Sequence, residues 1–140
     1  MPELRTIDAA PRGLVQTPRP PTVLVVDDEV MVRFLVSEAL REAGIEAVEA
    51  TDANEALAIL GSGAGIDAMV TDVRMPGPMD GFALAAAVRA AWPSMKVIMV
   101  SGSAASAPAA LADAFFAKPY RLASLVGATR QLLGLPDNDD

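Results

Sequence analysis

Five short apolar runs divide the chain, and each ends in polar or turn-forming residues. Thr22 to Val26 (Thr-Val-Leu-Val-Val) is β-branched and lacks polar alternation, which predicts a strand buried on both faces. Ile45 to Ala50 alternates weakly and predicts a second strand, nearer an edge. Ile66 to Thr71 predicts a third strand, closed by Asp72. Lys96 to Val100 predicts a fourth, followed at once by Ser101-Gly102-Ser103. Ala114 to Ala117 predicts a short fifth strand containing Phe115 and Phe116, which Lys118-Pro119-Tyr120 leaves.

Helical periodicity fills most of the intervals. Between Glu29 and Ala43, residues Val32, Val36, Ala39, Leu40 and Ala43 share one face, and Gly44 stops the helix. Met31, Phe34 and Leu35 fall about a third of a turn away. They form either an exposed patch that binds a partner or the margin of a wide core-facing stripe. A second helix is predicted from Ala53 to Leu60, capped by Thr51 or Asp52, and a third from Gly81 to Ala91, capped by Asp80 and ended by Trp92-Pro93. Residues 104–111 are Ala-rich and interrupted by Pro108, so any helix there is short or irregular. Arg121 to Leu133 predicts the last helix. The order is βα repeated five times. That predicts an α/β fold, with a doubly wound parallel sheet covered by helices on both faces.

Composition narrows the chemistry. At 140 residues and 52 % hydrophobic, the chain suits one domain with a sizeable core. The Pro-rich residues 1–21 read as a flexible leader, residues 22–135 as the domain, and 136–140 as an acidic tail. There is no secretory pattern and no apolar run near the roughly 20 residues that span a bilayer, so no membrane is expected. With no Cys and no His, thiolate chemistry, imidazole ligands and a His general base are excluded. A net charge of −7 disfavours nucleic acid as a direct partner.

Polar groups sit at four of the five predicted strand ends: Asp27 and Asp28, Asp72, Ser101 and Lys118. In a parallel doubly wound sheet these ends converge on one cleft. Each has an ordinary alternative; Asp72 could cap its turn and Asp28 the next helix. Together they do more. Three carboxylates repel unless a hard cation joins them, and an oxygen-only set points to Mg²⁺, or Mn²⁺ in its place. Lys118 adds a positive point charge and Ser101 a hydroxyl. That combination suits a phosphoryl group, with Asp72 as the nucleophile. No Walker loop or GxGxxG motif is present, which argues against ATP or dinucleotide binding.

Val-Leu-Val-Val-Asp-Asp-Glu, Thr-Asp-Val-Arg-Met-Pro-Gly-Pro-Met-Asp-Gly, Met-Val-Ser-Gly and Phe-Phe-Ala-Lys-Pro-Tyr, in that order, resemble the receiver domain of bacterial two-component response regulators. The resemblance runs from about residue 22 to 135. It implies a flavodoxin-like three-layer sandwich with strand order 2-1-3-4-5. It implies that Asp72 accepts phosphate from a phosphohistidine on a histidine kinase or phosphotransfer protein. Asp28, Asp72 and the backbone carbonyl of Arg74 would ligate Mg²⁺, with Asp27 acting through a bound water. Ser101 and Lys118 would hold the phosphoryl oxygens. Ser101 and Phe115 would be the switch pair, although Phe115 equally suits an ordinary core aromatic. Met31, Phe34, Leu35, Tyr120 and Arg121 are candidate docking residues. A cytoplasmic protein, monomeric or weakly dimeric, catalysing only its own phosphorylation and dephosphorylation, would follow.

Three features depart from the usual pattern. The loop from Met75 to Gly81 is one residue longer than the commonest form and is similar to receivers that accompany hybrid histidine kinases. The stretch around Pro108 is unlike a standard output face, and its ordering would be the readout. The chain stops soon after the last helix, which predicts a single-domain regulator that binds partners or relays phosphate. Phosphatases of the haloacid dehalogenase type also use an Asp nucleophile, but after the first strand, in an Asp-x-Asp pattern that Asp27-Asp28-Glu29 does not supply. A scaffold that no longer takes phosphate would have lost a site residue, and all five are present.

Overall fold

The computed structural model describes residues 19–102 and 110–136. Its elements run β1 (Thr22–Val26), α1 (Val30–Glu42), β2 (Glu46–Ala50), α2 (Ala53–Gly61), β3 (Ala68–Asp72), α3 (Gly81–Ala91), β4 (Lys96–Ser101), β5 (Ala114–Ala117) and α4 (Leu122–Leu132). The strands form one parallel sheet in the order β2-β1-β3-β4-β5. The expected fold class and strand order are therefore observed. The leader before Arg19, residues 103–109 and the last four residues lie outside the described residues. So does most of the irregular segment expected around Pro108.

Successive side chains on a strand point to opposite faces, and the apolar runs use both. Val23, Val25, Val70, Ile98 and Val100 pack on one face against Val36 and Leu40 of α1 and Leu125 of α4. Leu24, Val26, Met69, Val97 and Met99 pack on the other against Ala53, Ala56 and Leu60 of α2 and Leu84, Ala85 and Val88 of α3. The absence of polar alternation in β1, β3 and β4 follows from this double covering. Each fully buried Leu, Ile or Met contributes about 1.5–3 kcal/mol. The small residues of α2 and α3 let those helices lie close to the sheet.

Local chemistry fixes the helix starts. Asp52 accepts from the Glu55 N–H at 2.8 Å, while Glu55 Oε1 accepts from the Thr51 N–H and hydroxyl at 2.7 and 2.9 Å, a reciprocal cap. Asp80 accepts from the Ala83 N–H at 2.9 Å. Asp28 does not cap α1; Glu29 is the N-cap residue and makes no side-chain cap bond. β3 starts at Ala68, two residues later than the apolar pattern predicts, and takes in Asp72. Asp67 is occupied elsewhere: its carboxylate accepts from the Thr22 N–H at 2.8 Å and from both Arg19 guanidinium arms at 3.0 and 3.1 Å.

One helix face is left open. Phe34 and Leu35 are 49 % and 47 % exposed, and Met31 and Val30 more so. The core-facing reading of this patch is thereby excluded. The stripe that α1 does bury runs through Val36, Ser37 and Leu40.

Candidate functional site

The chain reverses its winding between β1 and β3, since β1 is flanked by β2 on one side and β3 on the other. In open α/β sheets such a switch point, beyond the carboxyl ends of the strands, is where ligands bind. Here Asp27 and Asp28 follow β1, and Asp72 is the last residue of β3. A carboxylate oxygen from each lies within 4.8 Å of the others. Asp27 and Asp72 are buried and Asp28 is exposed, so the cluster is walled below and open above.

Electrostatics follow from this crowding. Burial pushes the Asp27 carboxyl above its usual value. The Glu29 N–H, donating to Asp27 Oδ1 at 2.9 Å, opposes that, and the charges of Asp72 and Asp28 reinforce it. Lys118 stands just past β5 with its Nζ 3.3 Å from Asp72 Oδ2. Partial burial lowers the Lys118 pKa, but the charge of Asp72 and the hydrogen bond to it outweigh that, so the net shift is upward. The ammonium is therefore fully charged at neutral pH. Burial also raises the Tyr120 phenol.

The remaining predicted residues are placed as follows. Ser101 ends β4 and is buried; its carbonyl accepts from the Lys118 N–H at 2.7 Å, which binds the two strand ends together. The Lys118–Pro119 peptide is cis. Asp28, Glu29, Asp72, Arg74, Gly102 and Lys118 line one cleft of about 280 Å³. A neighbouring cleft of about 600 Å³ shares Asp28 and Arg74 but is otherwise lined by Val73, Met75, Pro76, Asp80 and Phe82. Of these two clefts, the smaller is the one lined by Asp72 and Lys118. Phe115 is half-buried against the α2–α3 side of the core. Phe116 packs on the other side, its ring 6.1 Å from that of Tyr120 in an edge-on contact. Arg121 is exposed at the start of α4, and Met31, Phe34 and Leu35 lie on the open face of α1.

Two contributions escape a reading of the sequence. Gly81 packs its backbone onto the strand end: a Cβ there would collide with the Asp72 carbonyl oxygen and lie 2.7 Å from Val73 Cα. The Gly81 N–H donates to the Val73 carbonyl at 2.8 Å. A glycine opening a helix, where Ala would favour the helix, was the available signal. Arg33 is the other; its NH1 donates to the Asp27 carbonyl at 2.8 Å and its Nε to Glu49 at 2.9 Å. Only an arginine in an otherwise apolar turn marked it.

Fold and site together define a class of α/β protein: a parallel doubly wound domain with an acidic cluster and a lysine at its switch point. The family model for the response regulator receiver domain matches residues 23–130. The chain belongs to this family, the receiver domains of two-component signal transduction, which are phosphorylated on an aspartate. It is 38 % identical over 122 residues to the sensor kinase CckA of Brucella abortus, covering 83 % of this chain and 13 % of that protein. The chain spans between 13 % and 50 % of the length of the curated relatives it resembles. Among solved structures it is similar to a CheY-like receiver domain protein from Methanospirillum hungatei, with a TM-score of 0.77, 27 % identity and coverage of 83 % of this chain and 95 % of that one. The response regulator TrrA of Thermotoga maritima, solved in complex with Mg²⁺-BeF, gives a TM-score of 0.73 at 30 % identity, covering 80 % and 98 %. Among the described residues no helix is long and apolar enough to cross a membrane.

Proposed function

We propose that this chain accepts a phosphoryl group on Asp72 from a phosphohistidine and that the modification changes what the domain binds. The observation that carries the reading is the meeting of Asp27, Asp28 and Asp72 within 4.8 Å, with Lys118 Nζ 3.3 Å from the nucleophile. A carboxylate oxygen of Asp72 attacks phosphorus, the P–N bond to the donor imidazole breaks, and that nitrogen takes up a proton. Asp72 becomes an acyl phosphate. Lys118, already charged and beside Asp72, then pairs with the new phosphoryl oxygens, with the Ser101 hydroxyl as a further donor.

The three acids form an all-oxygen set that fits Mg²⁺, with Mn²⁺ as a substitute. In this reading Asp28, Asp72 and the Arg74 carbonyl hold the ion, and Asp27 acts through a bound water. When bound, it would neutralise charge on the acids and on the transferring group. The complex of the similar TrrA with Mg²⁺-BeF supports this choice.

Intact mass after incubation with phosphoramidate tests the reading. We expect a Mg²⁺-dependent gain of one phosphoryl group in the parent and none in Asp72→Asn. A gain that persists in the variant would assign the acceptor elsewhere. No gain in the parent would favour a scaffold that binds partners unmodified.

The donor needs a landing surface beside Asp72. Val30, Met31, Phe34 and Leu35 present an apolar stripe on α1, directly after the acids of the β1 end. Tyr120 and Arg121 flank the start of α4, which packs on the same side of the sheet. A helix of a histidine kinase or phosphotransfer protein, laying apolar residues onto this stripe, is the partner we assign. Leu35→Glu is expected to slow transfer from a phosphohistidine protein about tenfold while leaving the phosphoramidate reaction unchanged, since only a large donor uses the surface. Equal rates with the protein donor would remove α1 from the docking site.

A further inference from the structure

The turn that carries two of the three acids is held from outside the cluster. Arg33 lies in the first turns of α1 with its side chain only 12 % exposed. Its NH1 donates to the Asp27 carbonyl at 2.8 Å, and its Nε donates to Glu49 Oε1 at 2.9 Å. That carbonyl belongs to the planar peptide that joins Asp27 to Asp28. Fixing its oxygen fixes the plane from which the Asp28 backbone departs. Glu49 sits on β2, in register with Val25, so the far end of the clamp is anchored in the sheet.

The other restraints on this turn act mainly on Asp27. Its N–H donates to the Ala50 carbonyl at 3.1 Å, and its carboxylate accepts from the Glu29 N–H at 2.9 Å. Asp28 is exposed and its side chain makes no hydrogen bond among the described residues. Its carboxylate would otherwise be free to swing away from Asp27 and Asp72, which the like charges favour. A planar guanidinium bonding in two directions resists such a rotation better than a single ammonium. Glu49 also balances the Arg33 charge, so the arginine braces the backbone without pairing with the acids themselves.

We infer that Arg33, backed by Glu49, is a positioning residue that holds the Asp27–Asp28 peptide so that both carboxylates converge with Asp72 on a divalent cation. The inference rests on the metal reading above. Partners that orient metal ligands commonly cost about 10- to 100-fold in affinity when removed.

Titration of the full chain with Mg²⁺ alone, followed by calorimetry below each variant's melting temperature, tests it. Arg33→Met is expected to weaken Mg²⁺ about tenfold or more, with Glu49→Gln and Arg33→Lys intermediate. Arg130→Met is the control for a structural effect. Arg130 straps the Ala43 and Pro136 carbonyls at 2.7 and 2.6 Å, at the opposite end of α1. It is expected to lower the melting temperature and leave Mg²⁺ affinity within about twofold of the parent. Folded Arg33→Met with parental Mg²⁺ affinity would overturn the inference and leave the metal reading standing. Should Arg33→Met not fold, parental affinity in both Arg33→Lys and Glu49→Gln would do the same. A parent that binds no Mg²⁺ would sink the metal reading and this inference with it.

Discussion

Lys118 places its ammonium 3.3 Å from Asp72 Oδ2, so the proposed acceptor has a cation beside it before any phosphoryl group arrives. The lysine side chain retains 29 % exposure, so its pairing with Asp72 is screened and contributes less to stability than a buried pair would. Its upward-shifted pKa keeps this contribution intact below the ordinary lysine value and loses it only as pH rises beyond. Glu55 shows the opposite case. The N–H and hydroxyl of Thr51 hold its carboxyl below the usual range. Its contribution is therefore present above the unfolded pKa and lost as pH falls through the folded one. The parent is expected to melt above Glu55→Gln at pH 7, with the gap closing in acid as Glu55 protonates. A gap constant down to pH 3, followed by circular dichroism, would contradict this. The acids, Ser101 and Lys118 could be picked out because chemistry-bearing residues cluster at run ends. Thr51 could not be resolved from Asp52 as the cap, because both are good capping residues and only geometry shows that Thr51 serves Glu55 instead.

Strands and helices were legible where one period dominated. The β1 and β5 boundaries agree with the apolar runs to the residue, and those of α1 and α4 to within one. The start of β3 was misplaced because Ile66-Asp67 continues the apolar run, and no local signal shows that Asp67 is engaged by Arg19 and Thr22, 48 and 45 residues away. The β3–α3 connection hid more. Gly81 reads as a helix start, yet it lets α3 approach the backbone of Asp72. Gly81→Ala is expected to cost about 1–3 kcal/mol in urea unfolding through overpacking. It should also slow the phosphoramidate reaction about tenfold or more by displacing Asp72, the proposed acceptor. Gly127→Ala, inside α4 with open space around the added methyl, is expected to do the reverse and stabilise by about 1 kcal/mol. A stable Gly81→Ala with parental phosphorylation would show that the strand end yields without consequence.

Across the whole molecule the two edges of the sheet do different work. The edge where strands begin is stitched: Asp67 to Arg19 and Thr22, Asp113 to Arg89 and the Val97 N–H at 2.9 Å, Arg130 to the Ala43 carbonyl. The edge where strands end gathers like charges at Asp27, Asp28 and Asp72. Opposite charges are thus paired at the end away from the site, while three like charges are held together at it, as expected where function opposes folding. This division was readable only in half, since the long-range partners of Asp67 and Asp113 leave no periodic trace. Asp28→Asn tests it directly. Without divalent cation, removing one charge of three is expected to stabilise the fold by about 1 kcal/mol, a rise of about 3–5 °C in melting temperature. With Mg²⁺ at about 100 times its dissociation constant, the parent should gain about 2.7 kcal/mol and the variant much less. The order of the two melting temperatures would then invert on adding Mg²⁺. A variant less stable than the parent in the absence of metal would mean that Asp28 supports the fold by contacts of its own. A variant that gained as much as the parent from Mg²⁺ would remove Asp28 from the cation site.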